Sequence, residues 1–412
     1  MRKALKTAGV LGISMLLAGC TGCNSHSWYE QLSQQTVQSK LNTASVLSNE
    51  ELYERAQKEI ASGSVLDFYS VTSTAESVVE NFEKVYPRLA GKLHFHEIDD
   101  VETYDVLTTE IQDGDKSVDM MLTQNGADLK TKLLNTGLAY QYFPQMDLEQ
   151  IEESYQLPAV VCMVNTLFIC NNSEGNTEVT NIWQLTEKEW KGKIYFKHPL
   201  DETENMNFFV MLTSPQWSKQ ISESYKAYYG KTWNHAGTYQ SAAYEWIDLF
   251  LKNCDFTHGS NSQICLDVAD ADEKVMGFFV YNKIRKLDQE QTDKLDVLAY
   301  EADIDCFSGY LYAICATVAS TTDCPYTCAL FINYLLSNEG FSGDGSWNQY
   351  AGYYSANLAV HKPDEIADQD FSFWKQNLVI EDSDFIEDNI ENVSQFVESC
   401  LEDGEDKDRG DR

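Results

Sequence analysis

Residues Val65–Pro87 read VLDFYSVTSTAESVVENFEKVYP, and the fold is decided by how this stretch divides. Val65–Tyr69 has the β-branched and aromatic character of a short strand. From Thr74 to Tyr86, residues Ala75, Val78, Val79, Phe82, Val85 and Tyr86 recur at helical spacing, and Pro87 stops the helix. Ser73 with Glu76 makes a capping box at its start. The intervening loop, Ser70–Ser73, sets free backbone N–H groups and hydroxyls at the positive end of a helix. Such a place suits an anionic ligand.

The alternation continues on both sides. Asn49–Ala61 is a helical pattern broken by Gly63. Leu93–Ile98 reads as a strand, Val101–Asp113 as a helix and Val118–Leu122 as a strand. The loop Thr123–Gly126 follows, then a helix over Ala127–Asn135. Repeated β-α-β units imply a parallel sheet covered on both faces. Ligands of such sheets bind beyond the carboxyl ends of the strands. Leu157–Cys170 is a long apolar run, as expected of a strand crossing between domains. Lys193–Phe196 reads as a strand, followed by a polar loop and a helix over Tyr239–Asn253. Lys274–Asn282, Val297–Tyr300 and Tyr310–Ala319 are read as strands, and Tyr326–Asn338 as a helix.

The N-terminus carries a different signal. Arg2, Lys3 and Lys6 precede an apolar stretch from Ala8 to Leu17, which is too short to span a bilayer and fits a secretory signal. It ends in Leu17-Ala18-Gly19-Cys20, which resembles a bacterial lipobox. The expectation is a signal peptide over 1–19, lipid on Cys20, and a polar tether over 20–48. The protein is then placed on the extracytoplasmic face of the cell membrane, touching it through the anchor only.

Removing the signal leaves roughly 390 residues, enough for two domains. At 43% hydrophobic and 12% aromatic, the chain is globular. A formal charge of -35 repels nucleic acid, so none is expected as a partner. Glu381–Arg412 holds 13 acids and 3 bases. Its first part is amphipathic through Leu401 and reads as a docked helix, followed by a solvated acidic tail. Among the cysteines, Cys254 and Cys265 are the best candidate disulfide in an exported chain. Cys306, Cys315, Cys324 and Cys328 lack the paired knuckles of a zinc site and read as buried thiols. His94 and His96 alternate on a strand and share one face, and they are read as exposed strand residues rather than metal ligands. No metal and no cofactor are expected.

Five segments, taken in order, resemble the family of extracellular solute-binding proteins that serve ferric-iron, sugar-phosphate and related importers. They are Glu50–Tyr69, Asn81–Pro87 (NFEKVYP), Ser117–Pro144, Asn181–Pro199 (NIWQLTEKEWKGKIYFKHP) and Cys328–Ser342 (CALFINYLLSNEGFS). The resemblance spans residues 50–360. It implies a two-domain α/β fold of the type II periplasmic-binding-protein kind, with two crossover strands forming a hinge. Domain one would hold 49–160 plus 305–412, and domain two 161–304. It also implies a monomer that captures a small polar ligand, such as a sugar or sugar phosphate, and hands it to ABC permease subunits. The chain has no Walker A motif, so it is not the motor. It also lacks GxSxG and HExxH, so no enzymatic activity is expected. The alternative is a sensing or adhesion lipoprotein on the same fold, without a transporter.

Candidate ligand contacts are Thr72, Ser73, Thr74, Gln124, Asn125, Thr203, Asn205 and Tyr281. Each also has a plain structural reading: a cap for Ser73, Thr203 and Asn205, a turn for Gln124 and Asn125, a core strand residue for Tyr281. Iron-binding relatives use adjacent tyrosines in domain two. The matching region here, Gly277–Asn282, has only Tyr281, which argues against ferric iron. Asp201, Glu202 and Glu204 follow Pro199 and leave the charge of the ligand open.

Overall fold

The computed structural model describes residues 37–412 apart from positions 73, 99–102, 115–116, 172–178, 236, 301–303, 344, 364–365, 367 and 411–412, and apart from side chains at 403–410. The segment expected to be a lipobox, and Ser73, therefore lie outside the described residues. Among the described residues no helix is long and apolar enough to cross a membrane.

The first lobe grows from α1 (Asn49–Ala61), β1 (Leu66–Ser70), α2 (Thr74–Val85), β2 (Leu93–Glu97), α3 (Thr103–Gln112) and β3 (Met120–Thr123). Ser48 and Glu51 cap α1 reciprocally. Strands β2, β1 and β3 pair in parallel, as the alternating pattern requires. After β3 comes α4 (Gly126–Asp128), which passes into a π-helical run over Leu129–Leu134, then β4 (Ala139–Tyr140).

Strand β5 (Val160–Asn171) is buried along its whole length and leaves this lobe. The second lobe contains β6 (Ile194–Tyr195), α5 (Thr203–Leu212), α6 (Pro215–Tyr229), α7 (Ala242–Leu251), β7 (Cys254–Asp255), α8 (Asn261–Asp270), β8 (Met276–Val280), α9 (Gln289–Thr292) and β9 (Leu295–Val297). Strand β10 (Gly309–Ala319) returns to the first lobe. The chain closes with α10 (Pro325–Leu335), α11 (Asn338–Ser342), β11 (Tyr353–Ser355), α12 (Phe371–Asn377), β12 (Val379–Ile380) and α13 (Ser383–Gly410). One hydrogen-bonded path links the lobes in the order β2-β1-β3-β10-β5-β8-β6-β7. The fold is thus two α/β domains joined by two crossing strands.

The crossing is built from specific residues. Strand β5 pairs with β11 through Cys162–Val164 and with β8 through Thr166–Cys170, changing partner at Asn165. Its pairing with β10 shifts register between Ile314 and Cys315, an irregularity that bends and twists a strand pair. At the other end, a Cβ on Gly309 would lie 2.3 Å from the Thr166 carbonyl oxygen. Only glycine lets the two strands approach this closely.

Each lobe has an aromatic core. Phe331 of α10 stands edge-on to Phe68 and Phe82, at 5.2 and 5.0 Å. In the second lobe Phe278 stacks on Phe196 and Phe208 at 5.1 and 5.0 Å. Such pairs add about 0.5–1.5 kcal/mol beyond the area they bury.

Several sequence expectations need correction. The tether is not polar and free throughout: residues 37–44 are helical, and Val37, Leu41 and Ala44 are buried. Three apolar residues at helical spacing suffice to dock a segment whose composition is otherwise polar. Cys254 and Cys265 are free thiols. Cys265 is turned into the core of the second lobe, and the Cys254 thiol donates to the Phe250 carbonyl at 3.3 Å. The last helix does not end near Leu401 but runs to Gly410. Val297–Tyr300 is a strand end followed by a 3-10 turn.

Three carboxyls are buried away from the cleft. Desolvation raises Glu59 and Glu381 to about 7 and Asp119 to about 6. Between their unfolded values and these, the folded chain binds more protons than the unfolded one, so stability falls as pH rises through that window. Urea denaturation is therefore expected to give higher stability at pH 5.5 than at pH 8. Asp119→Asn can still accept from the Asp67 N–H through its one oxygen and present its amide to the Thr322 hydroxyl with the bond reversed, and it should flatten the part of the slope between about pH 4 and 6. An unchanged slope in that variant would show that Asp119 does not contribute.

Candidate ligand-binding cleft

The carboxyl ends of β1, β3, β6 and β8 converge on one cavity of ≈ 230 Å³ between the lobes. The first lobe supplies Thr72, Thr74, Glu97 and Gln124. The second supplies Lys197, Glu202, Asn261, Lys283 and Arg285. Tyr312 of β10 and Tyr353 of β11 form the wall beside the crossing strands.

The first-lobe wall is a hydroxyl cluster. Thr72 and Thr74 share a hydrogen bond at 2.8 Å, and Trp347 Nε1 donates to Thr74 Oγ1 at 2.9 Å. The Thr72 N–H is turned inward onto Ser70 Oγ at 3.2 Å. Gln124 is presented by a tight turn. Asn125, which follows it, has φ +55°, and the Tyr104 hydroxyl donates to the carbonyls of Gln124 and Asn125.

The second-lobe wall is basic. Lys197 forms an ion pair with Glu202, and Asn261 Nδ2 donates to the same carboxylate at 3.3 Å. The turn Tyr281–Lys286 after β8 presents Lys283 and Arg285. Among the described residues no carboxylate forms an ion pair with either. Arg285 donates to the Asn282 carbonyl at 3.0 Å and lies over the Tyr350 ring at 4.7 Å. Burial, followed by the charges of Arg285 and Lys286, lowers the Lys283 ammonium to about 8. Desolvated cations held beside one another without an ion-paired carboxylate favour an anion there; Glu97 and Glu202 line the same cavity, and the charge of Glu202 acts on Lys283 in the opposite sense. Burial pushes the Tyr353 phenol up to about 12, so it is a hydrogen-bond donor at neutral pH and poorly suited to act as a phenolate ligand.

Thr72, Thr74 and Gln124 thus lie together on the cavity wall. Asn205 does not reach it: its Nδ2 donates to the Lys197 carbonyl at 2.9 Å and steadies the loop that carries Lys197. Tyr281 is 5% exposed and bonded to the Tyr300 hydroxyl at 2.8 Å, in an aromatic cluster with Trp374. Asn125 and Thr203 line a different cavity. Ser73 lies outside the described residues. Lys197, Asn261, Lys283, Arg285, Tyr312 and Tyr353 were not among the contacts expected from the sequence. One signal for them was available: three bases in the four residues Lys283–Lys286, directly after a strand, in a strongly acidic chain.

His94 and His96 lie along β2 with Asp67, at 3.5 and 2.8 Å, outside the cleft. The group of possible metal ligands among the described residues, Asp119, Asp323 and Cys324, sits at the amino end of β3, opposite the cleft.

No protein-family model matches the sequence, and no curated protein matches it. Solved structures do match. The periplasmic binding protein AfuA from Actinobacillus pleuropneumoniae, with exogenous fructose-6-phosphate bound, is similar with a TM-score of 0.59 and 15% identity. The match covers 82% of this chain and 99% of that one. The fold is that of a type II periplasmic binding protein. The ferric binding protein from Campylobacter jejuni is similar to this binding-protein fold with a TM-score of 0.57 and 15% identity, over 81% of this chain and 99% of that one. An ABC transporter protein from Clostridium perfringens is similar with a TM-score of 0.54 and 12% identity, over 81% and 99%. The periplasmic-binding-protein fold accounts for the two crossing strands and for a cleft at the strand ends.

Proposed function

We propose that this protein is a lipid-anchored solute-binding protein that captures a small, hydroxyl-bearing anion between its two lobes for an ABC importer. Sugar phosphates are the class favoured by the cleft. The observation that carries this reading is the pair Lys283 and Arg285, facing the cavity with no carboxylate in ion-pair contact. The phosphate belongs against these bases, and the sugar hydroxyls against Thr72, Thr74, Gln124 and Asn261. The acids after Pro199 do not oppose this assignment. Glu202 is matched by Lys197, Asp201 has an 81% exposed side chain, and Glu204 is buried within α5. The fructose-6-phosphate bound to the similar Actinobacillus protein supports the same class. No catalytic role is assigned, and attachment through Cys20 on the outer face of the membrane belongs to the same proposal.

A thermal-shift series on the mature chain tests it, comparing hexose 6-phosphates with the parent sugars, inorganic phosphate and ferric citrate. At a hundredfold excess over Kd, a ligand specific for the native state adds about 2.7 kcal/mol of stability. Phosphate esters should raise Tm by several degrees and the neutral sugars by none. Shifts with neutral sugars alone would overturn the anionic assignment.

A further inference from the structure

Two imidazoles and a carboxylate meet on an open face of the first lobe. Side chains alternate along a strand, so His94 and His96 of β2 project from the same face. Asp67 stands beside His94 in the parallel register of β1 and β2. His94 Nδ1 and His96 Nε2 lie 3.5 and 2.8 Å from one oxygen of its carboxylate, Oδ1. The sequence displays the histidines as an alternating pair; the third donor comes from the neighbouring strand, which only the fold reveals. None of the three lines the cavity between the lobes.

The spacing suits a metal ion. Ligand atoms on a tetrahedral ion with bonds of about 2.1 Å lie about 3.4 Å apart, and the two observed spacings lie on either side of that value. The His96 ring is held by stacking on Tyr69, with centroids 4.6 Å apart. The His94 side chain is 54% exposed, so its ring is free to turn and bring its nitrogen in toward the same point. The site is also reachable, unlike Asp119 and Cys324, which are buried. Among the described residues neither Lys nor Arg forms an ion pair with Asp67. Its partners are the imidazoles themselves, so an entering ion displaces no other cation and takes the place of the protons between them. Behind it, the Asp119 carboxylate accepts from the Asp67 N–H at 2.9 Å and adds a second acid. We infer that Asp67, His94 and His96 form a solvent-open site for a divalent transition ion that prefers imidazole, such as zinc.

Isothermal titration of the untagged mature chain with Zn²⁺, Ni²⁺ and Mg²⁺ tests this site. Zinc and nickel should bind saturably, whereas magnesium, which prefers oxygen donors, should not. His94→Gln and His96→Gln should each weaken zinc by about tenfold or more. Both positions are on the open face, so these variants should keep the wild-type Tm without metal. Asp67→Asn should weaken zinc as well, and Cys324→Ser, at the buried group of possible ligands, should leave it unchanged. Zinc affinity that survives both histidine substitutions, loss of zinc in Cys324→Ser, equal binding of magnesium, or no saturable heat with zinc would each overturn the site.

Discussion

Replacing both Lys283 and Arg285 by Met abolishes phosphate-ester binding and at the same time makes the empty protein more stable. Both halves of this expected result follow from one fact. Lys283 is held below its ordinary range because water is largely excluded from it and other cations surround it. Between about pH 8 and its unfolded value, the unfolded chain binds more protons than the folded one. The stability of the empty protein therefore rises with pH through that window, and below it the full penalty is present. Removing the charge removes the penalty. Bound phosphate turns the same charge to advantage. Charge-assisted hydrogen bonds contribute about 1.5–3 kcal/mol each, so losing two should lower affinity by about 10²–10⁴-fold. Calorimetric titration together with Tm of the empty variant reads both. Affinity of the wild type should also fall between pH 7 and 9, and this dependence should be weaker in Lys283→Met. Weaker binding with a lower Tm would instead mean that the substitutions damage the fold.

Val397→Asp is expected to have the largest effect on architecture. Helix α13 starts on the first lobe, where Lys130 pairs with Asp384 and Glu387. Its body packs on α5 and α7 of the second lobe. Ile386, Val393 and Val397 are almost wholly buried there, and Phe396 stands edge-on to Tyr244 at 4.8 Å. The helix is therefore a third connection between lobes otherwise joined by β5 and β10. A carboxylate at Val397 cannot stay buried without a partner, and losing a buried side chain of this size costs several kcal/mol by itself. The variant should lose about 3–5 kcal/mol, and small-angle scattering should show a larger radius of gyration as the lobes separate. An unchanged radius with reduced stability would confine the helix to packing on the second lobe.

Most of the fold was legible in the sequence, for reasons that particular residues make plain. Ala75, Val78, Val79 and Phe82 announce a helix because one face must be buried. β5 and β10 announce themselves as apolar runs because both of their faces are covered. The cleft was legible only on the first-lobe side, where Thr72, Thr74 and Gln124 follow strands directly. On the other side, the relevant residues sit in a 3-10 turn past β8. Which of them faces the cavity depends on how that turn closes, and no periodicity encodes that. Tyr281 and Asn205 illustrate the same gap. Tyr281 follows the cleft-lining Val280 and Asn205 lies three residues past Glu202, yet one enters an aromatic cluster and the other holds a loop. The apolar stripe of α13 was equally visible, but a stripe does not state its partner, so its bridging of two lobes was not.

The free cysteines of the described residues have a consequence for the chemistry of the chain. Burial holds Cys162, Cys254, Cys265 and Cys315 above the ordinary thiol range, and Cys324 is raised first by its hydrogen bond to Cys328 and then by burial. Oxidants and electrophiles attack the thiolate; these thiols are held protonated, and Cys162, Cys265, Cys315 and Cys324 are also closed off from solvent. Among the described residues packing, not crosslinking, holds the fold together, so a reductant is expected to leave the Tm of this domain unchanged.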